Sequence, residues 1–433
     1  MSDVAVGTGL LVVLVVLFLT GIELAFAMVV VGFAGIWYFR SFDAALNVVA
    51  KDFLDVFTSY AFTVIPLFVL MGQLAFNSGI ATKLYHAARS FVGHVPGGLA
   101  LATIGGATTF KAISGSTLAT TATFSSVAIP EMDRYGYRRT LSTGVVASVG
   151  TIGMLIPPSG NLIIFAMLTE QSVGALFLAG IVPGLMIAAM FLVVVCAWCR
   201  LDPSVAPSAD RFGWRERMRA VPQILWPAVI FAIVIGGLLA GIFTPTEAGA
   251  VGAMAVLLFT VAARDLDLPG AIRSISESLR MACMVLVLVA GSAVLGHMIA
   301  MSKIPMAVAT WTQDLALPPM VIVALIVLIY LIGGSFIDDI AFMILATPIF
   351  YPVVLGLGID PVWFAMIIAV TLMIGVIVPP VAVAAFVVHS ITRESIVVVY
   401  RGIAPFLIAL FVGLGLLFAF PSIATWLPSI AGH

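Results

Sequence analysis

Apolar residues fall into blocks of about 20 along most of the chain, and polar residues, Gly and Pro gather between the blocks. A helix needs about 20 mostly apolar residues to cross the hydrocarbon core of a bilayer. Cutting at the punctuation predicts ten crossings, over residues 4–19, 22–39, 58–76, 141–168, 174–199, 222–241, 245–263, 281–300, 362–389 and 395–418. Two further apolar stretches, 97–130 and 318–355, have small-residue centres, Ser114-Gly115-Ser116-Thr117 and Gly333-Gly334-Ser335. Each half of these stretches reads as too short to span. A helix that enters, turns and leaves on one side fits both, provided protein or a cavity covers the turned backbone.

Basic residues support this layout. With ten crossings and two hairpins, fifteen of the 19 Lys and Arg, from Lys83 to Arg401, share one face, whereas Arg40, Lys51 and Lys303 lie on the other. Lys111 sits inside the first hairpin. Positive residues collect on the cytoplasmic side, so both termini are expected on the far side. The first hairpin is then expected to enter from the cytoplasm and the second from the opposite face.

Composition narrows the class. The chain is 62% hydrophobic and 9% charged, with a formal net charge of −1. Those values exclude an ordinary water-soluble domain and a disordered chain. They also give no positive field for a nucleic-acid partner. Cys196 and Cys199 have redox spacing but lie in FLVVVCAWC without a second pair, so they and Cys283 read as packed or lipid-facing thiols. The N-terminus has no basic segment before its apolar run and reads as a span rather than a cleaved signal.

The chain repeats itself. Gly153-x-x-Ile156-Pro157-Pro158 recurs as Gly375-x-x-Val378-Pro379-Pro380, and Gly180-Ile181-x-Pro183-x-Leu185 recurs as Gly402-Ile403-x-Pro405-x-Leu407, both displaced by 222 residues. Gly115 and Gly334, taken as the hairpin centres, differ by 219. Each unit reads as a span, a short amphipathic arm (81–92 and 305–315), a hairpin, a span broken at Pro-Pro, and a span. Five crossings separate the two starts, so the second copy is inverted. Inverted repeats with interrupted helices are the architecture of secondary transporters, with substrate and ion between the copies. Consecutive prolines inside a span free carbonyls for a small cation, and half-helix N-termini favour an anion.

The expected division is therefore 1–57 scaffold helices, 58–199 first repeat, 200–264 cytoplasmic loop and scaffold pair, 265–418 second repeat, and 419–433 a C-terminal tail. Candidate residues follow from the same logic. Ser114, Ser116, Thr117, Thr120, Thr121 and Thr123 concentrate hydroxyls on the first hairpin, with ligand binding expected of Ser114 to Thr117 and packing of the rest. Asp338 and Asp339 are carboxylates in an apolar hairpin, so they face a cavity or cap a helix, and Asp338 lies nearer the tip. Lys111, three residues before the first tip, is a candidate for a substrate carboxylate or an internal acid. Thr244-Pro245-Thr246-Glu247 reads as a capping box. His297 and His389 read as packed or cavity-lining, and Glu23 opens the second span. There is no P-loop, H-E-x-x-H or G-x-S-x-G motif, so ATP binding by that loop and those two hydrolase chemistries are not expected.

At Gly115-Ser116, Leu155-Ile156-Pro157-Pro158-Ser159, GIFTPTEAGA from Gly241, Asp338-x-x-Ala341 and Pro348-x-x-x-Pro352, the chain resembles the large membrane subunit of tripartite ATP-independent periplasmic (TRAP) transporters, over about residues 10–418. That resemblance implies an all-α, elevator-type, sodium-coupled importer of small organic acids in the bacterial inner membrane, not an enzyme. It also implies a small membrane (Q) subunit and a periplasmic substrate-binding (P) protein as partners. Two or more sodium ions are implied, between Ser114, Gly115, Ser116 and the Gly153, Ile156, Pro157 break, and between Gly334, Ser335, Asp338 and the Gly375, Val378, Pro379 break. Substrate contact is expected from Ser116, Thr117, Asn161, Ser335 and Lys111. The chain departs from the family pattern at Val378, which replaces a hydroxyl residue, at Lys111, where a small residue is usual, and at Glu23, where Pro is. A standalone anion or dicarboxylate transporter of the same architecture and an anion channel are the alternatives.

Overall fold

In each repeat an apolar helix stops at a cap, turns and returns, and the stops decide the architecture. The structure, a computed structural model, describes residues 2–314 and 317–430. Among them the chain forms twenty α-helices and no strand. A first group comprises α1 (Asp3–Leu19), α2 (Leu24–Phe39) and α3 (Phe42–Thr58). The first repeat holds α4 (Val64–Asn77), α5 (Ile80–Val92), α6 (Gly98–Ser114), α7 (Thr117–Arg134), α8 (Arg139–Val149), α9 (Gly160–Thr169) and α10 (Val173–Leu201). A pair follows, α11 (Trp214–Leu239) and α12 (Pro245–Ala262). The second repeat holds α13 (Leu268–Met301), α14 (Ile304–Asp314), α15 (Pro319–Phe336), α16 (Asp339–Gly356), α17 (Pro361–Ile377), α18 (Val383–Thr392) and α19 (Ile396–Ala419), and α20 (Ser422–Ile430) closes the chain. Eight helical stretches among the described residues are long and apolar enough to cross a bilayer, and α1, α2, α9, α17 and α18 are shorter apolar helices.

All ten apolar blocks are largely helical, but several details differ from the sequence reading: the halves of the second hairpin, α15 and α16, are each long and apolar enough to cross a bilayer rather than too short for it. α3 is an amphipathic helix that pattern cutting passed over, and it lies along α2 and α13. The expected C-terminal tail contains α20, which packs on α10 with Ala424 and Pro428 buried. α13 has 34 residues, starting well before the predicted span, which at 1.5 Å per residue is about 51 Å, longer than a hydrocarbon core of about 30 Å. The second arm ends at Asp314, and its expected last residue, Leu315, lies outside the described residues, as do 431–433 of the tail.

The repeat extends to the level of helix caps. α7 and α16 start and end 222 residues apart, as do the starts of α8 and α17. Ser116 caps α7 by accepting from the Ala119 amide at 3.3 Å, and Asp338 caps α16 by accepting from the Ala341 amide at 3.4 Å. Both peptide bonds Pro157-Pro158 and Pro379-Pro380 are cis. This alignment corrects the second tip. Gly333, Gly334 and Ser335 are helical, in the last turn of α15, and the chain turns at Ile337 before Asp338. The hairpins therefore share the 222 spacing, and the apparent 219 came from reading small residues as a break that an α-helix in protein surroundings tolerates.

The two copies meet backbone to backbone. Gly144 on α8 lies against Gly402 on α19, and Gly402 also lies on the Thr140 carbonyl, so that a Cβ on either would collide with main chain. Without a hydrophobic drive between helices in lipid, such close approach of small residues holds them together. Trp363 Nε1 adds a hydrogen bond to the Leu417 carbonyl at 2.8 Å, tying α17 to α19.

The capping box at α12 forms as expected. The Glu247 amide donates to Thr244 Oγ1 at 3.3 Å, and Glu247 Oε2 accepts from the Thr244 amide at 2.8 Å. Thr244→Ala is expected to destabilise the chain by about 1 kcal/mol, read as a lower melting temperature in detergent with Thr244→Ser near the native value.

On the Arg-rich face, the segment after α10 straps the first repeat. The Arg138 amide donates to the Val205 carbonyl at 2.8 Å, the Gly97 amide to Ala206 at 3.2 Å, and the Ala209 amide to Gly93 at 3.0 Å. Arg138 pairs with Asp202 at 2.9 Å. The Ser204 hydroxyl, with Arg138, holds the Asp202 carboxyl below its usual range. Arg89 pairs with Glu131, donates to Tyr135 at 2.7 Å and stacks on Phe212, while Tyr135 donates to Asp210.

Candidate functional site

Both hairpin tips end part-way along broken spans. α8 passes through a tight turn at Gly150–Met154 and an irregular segment before α9 begins, and the residues from Thr151 to Ser159 are buried. The Ser159 hydroxyl bridges the gap, donating to the Met154 carbonyl at 2.9 Å. At the first tip Gly115 has φ +61°, a left-handed conformation that favours glycine. It faces the break so closely that a Cβ there would lie 3.1 Å from the Pro158 carbonyl oxygen. The opposite side of the tip is held by α4, where only a residue without a side chain fits against the Ser114 carbonyl at Gly72.

Between the tips lies a cavity of about 320 Å³, also walled by α4, α9 and α13. Ser114, Gly115, Ser116 and Thr117 line it from the first hairpin, Asn161 from the start of α9, and Asp338 and Asp339 from the second hairpin. The rest of the wall is mainly apolar, including Ile65, Phe68, Met281 and Leu288. No Lys, Arg or His is among the lining residues. The N-termini of α7 and α16 both open on this space, so their free amides face it.

Asn161 Nδ2 donates to Asp339 Oδ2 at 2.8 Å, with both residues buried. This bond joins the two repeats at the cavity wall, across 178 residues of chain. Asp338 holds the cap position that the sequence allowed it, and it lines the cavity as well. The more important contact belongs to Asp339, ranked second by the sequence.

The hydroxyls beyond the first tip bond within their own helix. Thr120, Thr121 and Thr123 donate to carbonyls four residues earlier, at 2.9, 3.0 and 2.9 Å, and are committed to their helix. Lys111 is fully buried and is not among the lining residues. Its Nζ donates to Thr117 Oγ1 at 3.4 Å, and its stem runs over Gly153, where a Cβ would fall 2.5 Å from Nζ.

The second break is arranged differently. Gly375 packs on Gly334, its hypothetical Cβ 2.9 Å from the Gly334 carbonyl carbon. Ser335 Oγ donates to the Ile332 carbonyl at 2.7 Å, and neither Gly334 nor Ser335 lines the cavity. Val378 is half-buried, Pro379 is exposed, and Tyr400 donates its hydroxyl to the Pro380 carbonyl at 2.9 Å. Ile156 and Pro157 of the first break are buried behind Pro158, which faces the cavity. His297 Nε2 lies 3.3 Å from Asp52 Oδ1, away from the cavity, and His389 Nδ1 lies 2.6 Å from the Glu394 carbonyl.

Two inverted units, each with a broken span and a hairpin, around a mainly apolar cavity with few polar groups define a membrane transporter. The model of the tripartite ATP-independent periplasmic transporter family, DctM component, matches residues 11–423, and the chain belongs to that family. It is 35% identical over 376 residues to the C4-dicarboxylate TRAP transporter large permease protein DctM of Pseudomonas aeruginosa, covering 86% of this chain and 87% of the relative. It is 33% identical over 414 residues to the sialic acid TRAP transporter large permease protein SiaM of Vibrio cholerae, covering 94% and 96%. The fold resembles that of the Alcanivorax borkumensis YdaH transporter, with a TM-score of 0.66 at 14% identity over 88% of this chain and 89% of that one. The chain is thus a multi-pass permease and not an enzyme, of a family that works with a substrate-binding protein and a small membrane subunit.

Proposed function

We propose that the chain imports a small organic acid, handed over by a periplasmic binding protein, in symport with sodium, and that the hairpin bodies slide against the scaffold as an elevator. The observation that carries this reading is the cavity charge. Two carboxylates, Asp338 and Asp339, line it without a basic side chain, so an anion would enter against like charge. Helix N-termini offset part of that repulsion. A co-bound cation offsets the rest, and carboxylate and carbonyl oxygens are the ligands a hard cation prefers. Relatives named for C4-dicarboxylates and for sialic acid support an organic acid as cargo. The basic face, fifteen residues against three, supports an inner-membrane orientation with both termini periplasmic.

Reconstitution tests this reading. Proteoliposomes holding the chain, its small membrane subunit and its binding protein should accumulate an acid from a panel of C4-dicarboxylates, sialic acid and ectoine only under an inward sodium gradient. Equal uptake by the chain alone, without sodium, would sink the proposal.

A further inference from the structure

We propose that the Arg-bearing end of the α11 and α12 pair binds an anionic phospholipid, with Arg215, Arg219 and Arg264 at its phosphate and the apolar outer face of the two helices under its acyl chains. Only the naming of the leaflet as cytoplasmic rests on the orientation proposed above.

Depth brings the three arginines together. α11 and α12 run away from the turn at 240–244 as a packed pair. Arg219 lies 20 residues before Leu239, and Arg264 lies 19 residues after Pro245. At 1.5 Å per residue both stand about 30 Å from that turn, which is the thickness of a hydrocarbon core. The Trp226 ring stacks on Phe259 with centroids 3.9 Å apart, which fixes this register between the helices. Arg215 and Arg219 precede Trp226 by eleven and seven residues and so share its helix face, with Arg215 one turn further out. All three arginines are exposed.

Their charge is left open by the protein. None of the three makes an ion pair among the described residues. The acids beside them are committed elsewhere: Glu216 accepts from the Gly213 amide at 3.0 Å, Asp265 pairs with Lys83, and Asp267 caps α13 by accepting from the Gly270 amide at 2.9 Å. Toward the membrane the same pair of helices exposes Leu225 and Val229 on α11 and Leu258 and Val261 on α12. Trp214, at the outer end of α11, is exposed as well, and tryptophan concentrates at the headgroup level. An apolar face that runs into three open guanidinium groups complements a molecule with an anionic head and apolar tails. Guanidinium matches phosphate in two-pronged geometry, and anionic lipids of the cytoplasmic leaflet attract basic residues at this depth.

Titration of the purified full-length chain in detergent with dioctanoyl phosphatidylglycerol tests this, followed by native mass spectrometry and melting temperature. Dioctanoyl phosphatidylcholine and inorganic phosphate are the comparison probes. The native chain should retain phosphatidylglycerol and melt at a higher temperature with it, and neither comparison probe should act so. Arg215→Gln/Arg219→Gln/Arg264→Gln should lower the affinity for phosphatidylglycerol roughly 100-fold. Arg273→Gln/Arg280→Gln/Arg401→Gln removes as much charge from the same membrane face and should bind as the native chain does. Where the first triple variant does not fold, Arg219→Gln alone should weaken binding about fivefold. Equal binding of phosphatidylcholine by the native chain overturns the proposal without any variant, and so does an equal loss in the two triple variants. Inorganic phosphate acting as well as the lipid would make this a plain anion site and overturn it. Release of bound phosphatidylglycerol by the small membrane subunit would make this face the seat of that subunit and overturn it too.

Discussion

Asp339→Ala is expected to lower uptake by roughly 10- to 150-fold, the equivalent of about 1.5–3 kcal/mol for a hydrogen bond to a buried charge. The substitution removes a cavity charge and the partner of Asn161 together. Two further variants separate these losses. Asn161→Ala leaves the carboxylate in place without its donor and should reproduce much of the defect. Asp339→Asn keeps a polar group of the same shape and removes the charge. If its initial uptake rate in proteoliposomes at saturating sodium equals the native rate, the charge of Asp339 has no part in transport. If Asn161→Ala is native-like, the bond between the repeats is not needed for function.

The second large effect falls on stability. Gly402→Val is expected to cost about 3 kcal/mol or more, because a side chain there meets main chain, which has no rotamer to change. The expected readout is loss of the monodisperse peak in detergent chromatography, or a much lower melting temperature. Gly415→Val, on the same helix with nothing within 4 Å of its Cβ position, is the control and should be close to native. Equal behaviour of the two would mean that the Gly144 and Gly402 contact does not hold the repeats together.

The membrane helices were legible as blocks because a bilayer favours runs of about 20 apolar residues, which have few other uses. The repeat was legible because Pro-Pro and Gly-Ile-x-Pro patterns kept their 222-residue spacing. Helix α3 was not, since its apolar face alternates with Asp and Lys and never forms a block. The second tip was misplaced because Gly333 and Gly334 look like a break, while the turn is set by the cap at Asp338. Within the site, Ser116, Thr117, Asn161 and Asp338 were identified and do line the cavity. The bond from Asn161 to Asp339 depends on how two distant units dock, which no local pattern encodes.

The strap after α10 sets a limit on movement. Its fastenings continue to Asp210 and Phe212, and α11 begins at Trp214, so a single residue, Gly213, separates the fastened segment from the helix. There is almost no slack in that leash. Travel of the first hairpin relative to α11 is accordingly confined to rotation about Phe212 and Gly213, or it waits until the clasp around Arg89, Tyr135 and Asp210 lets go.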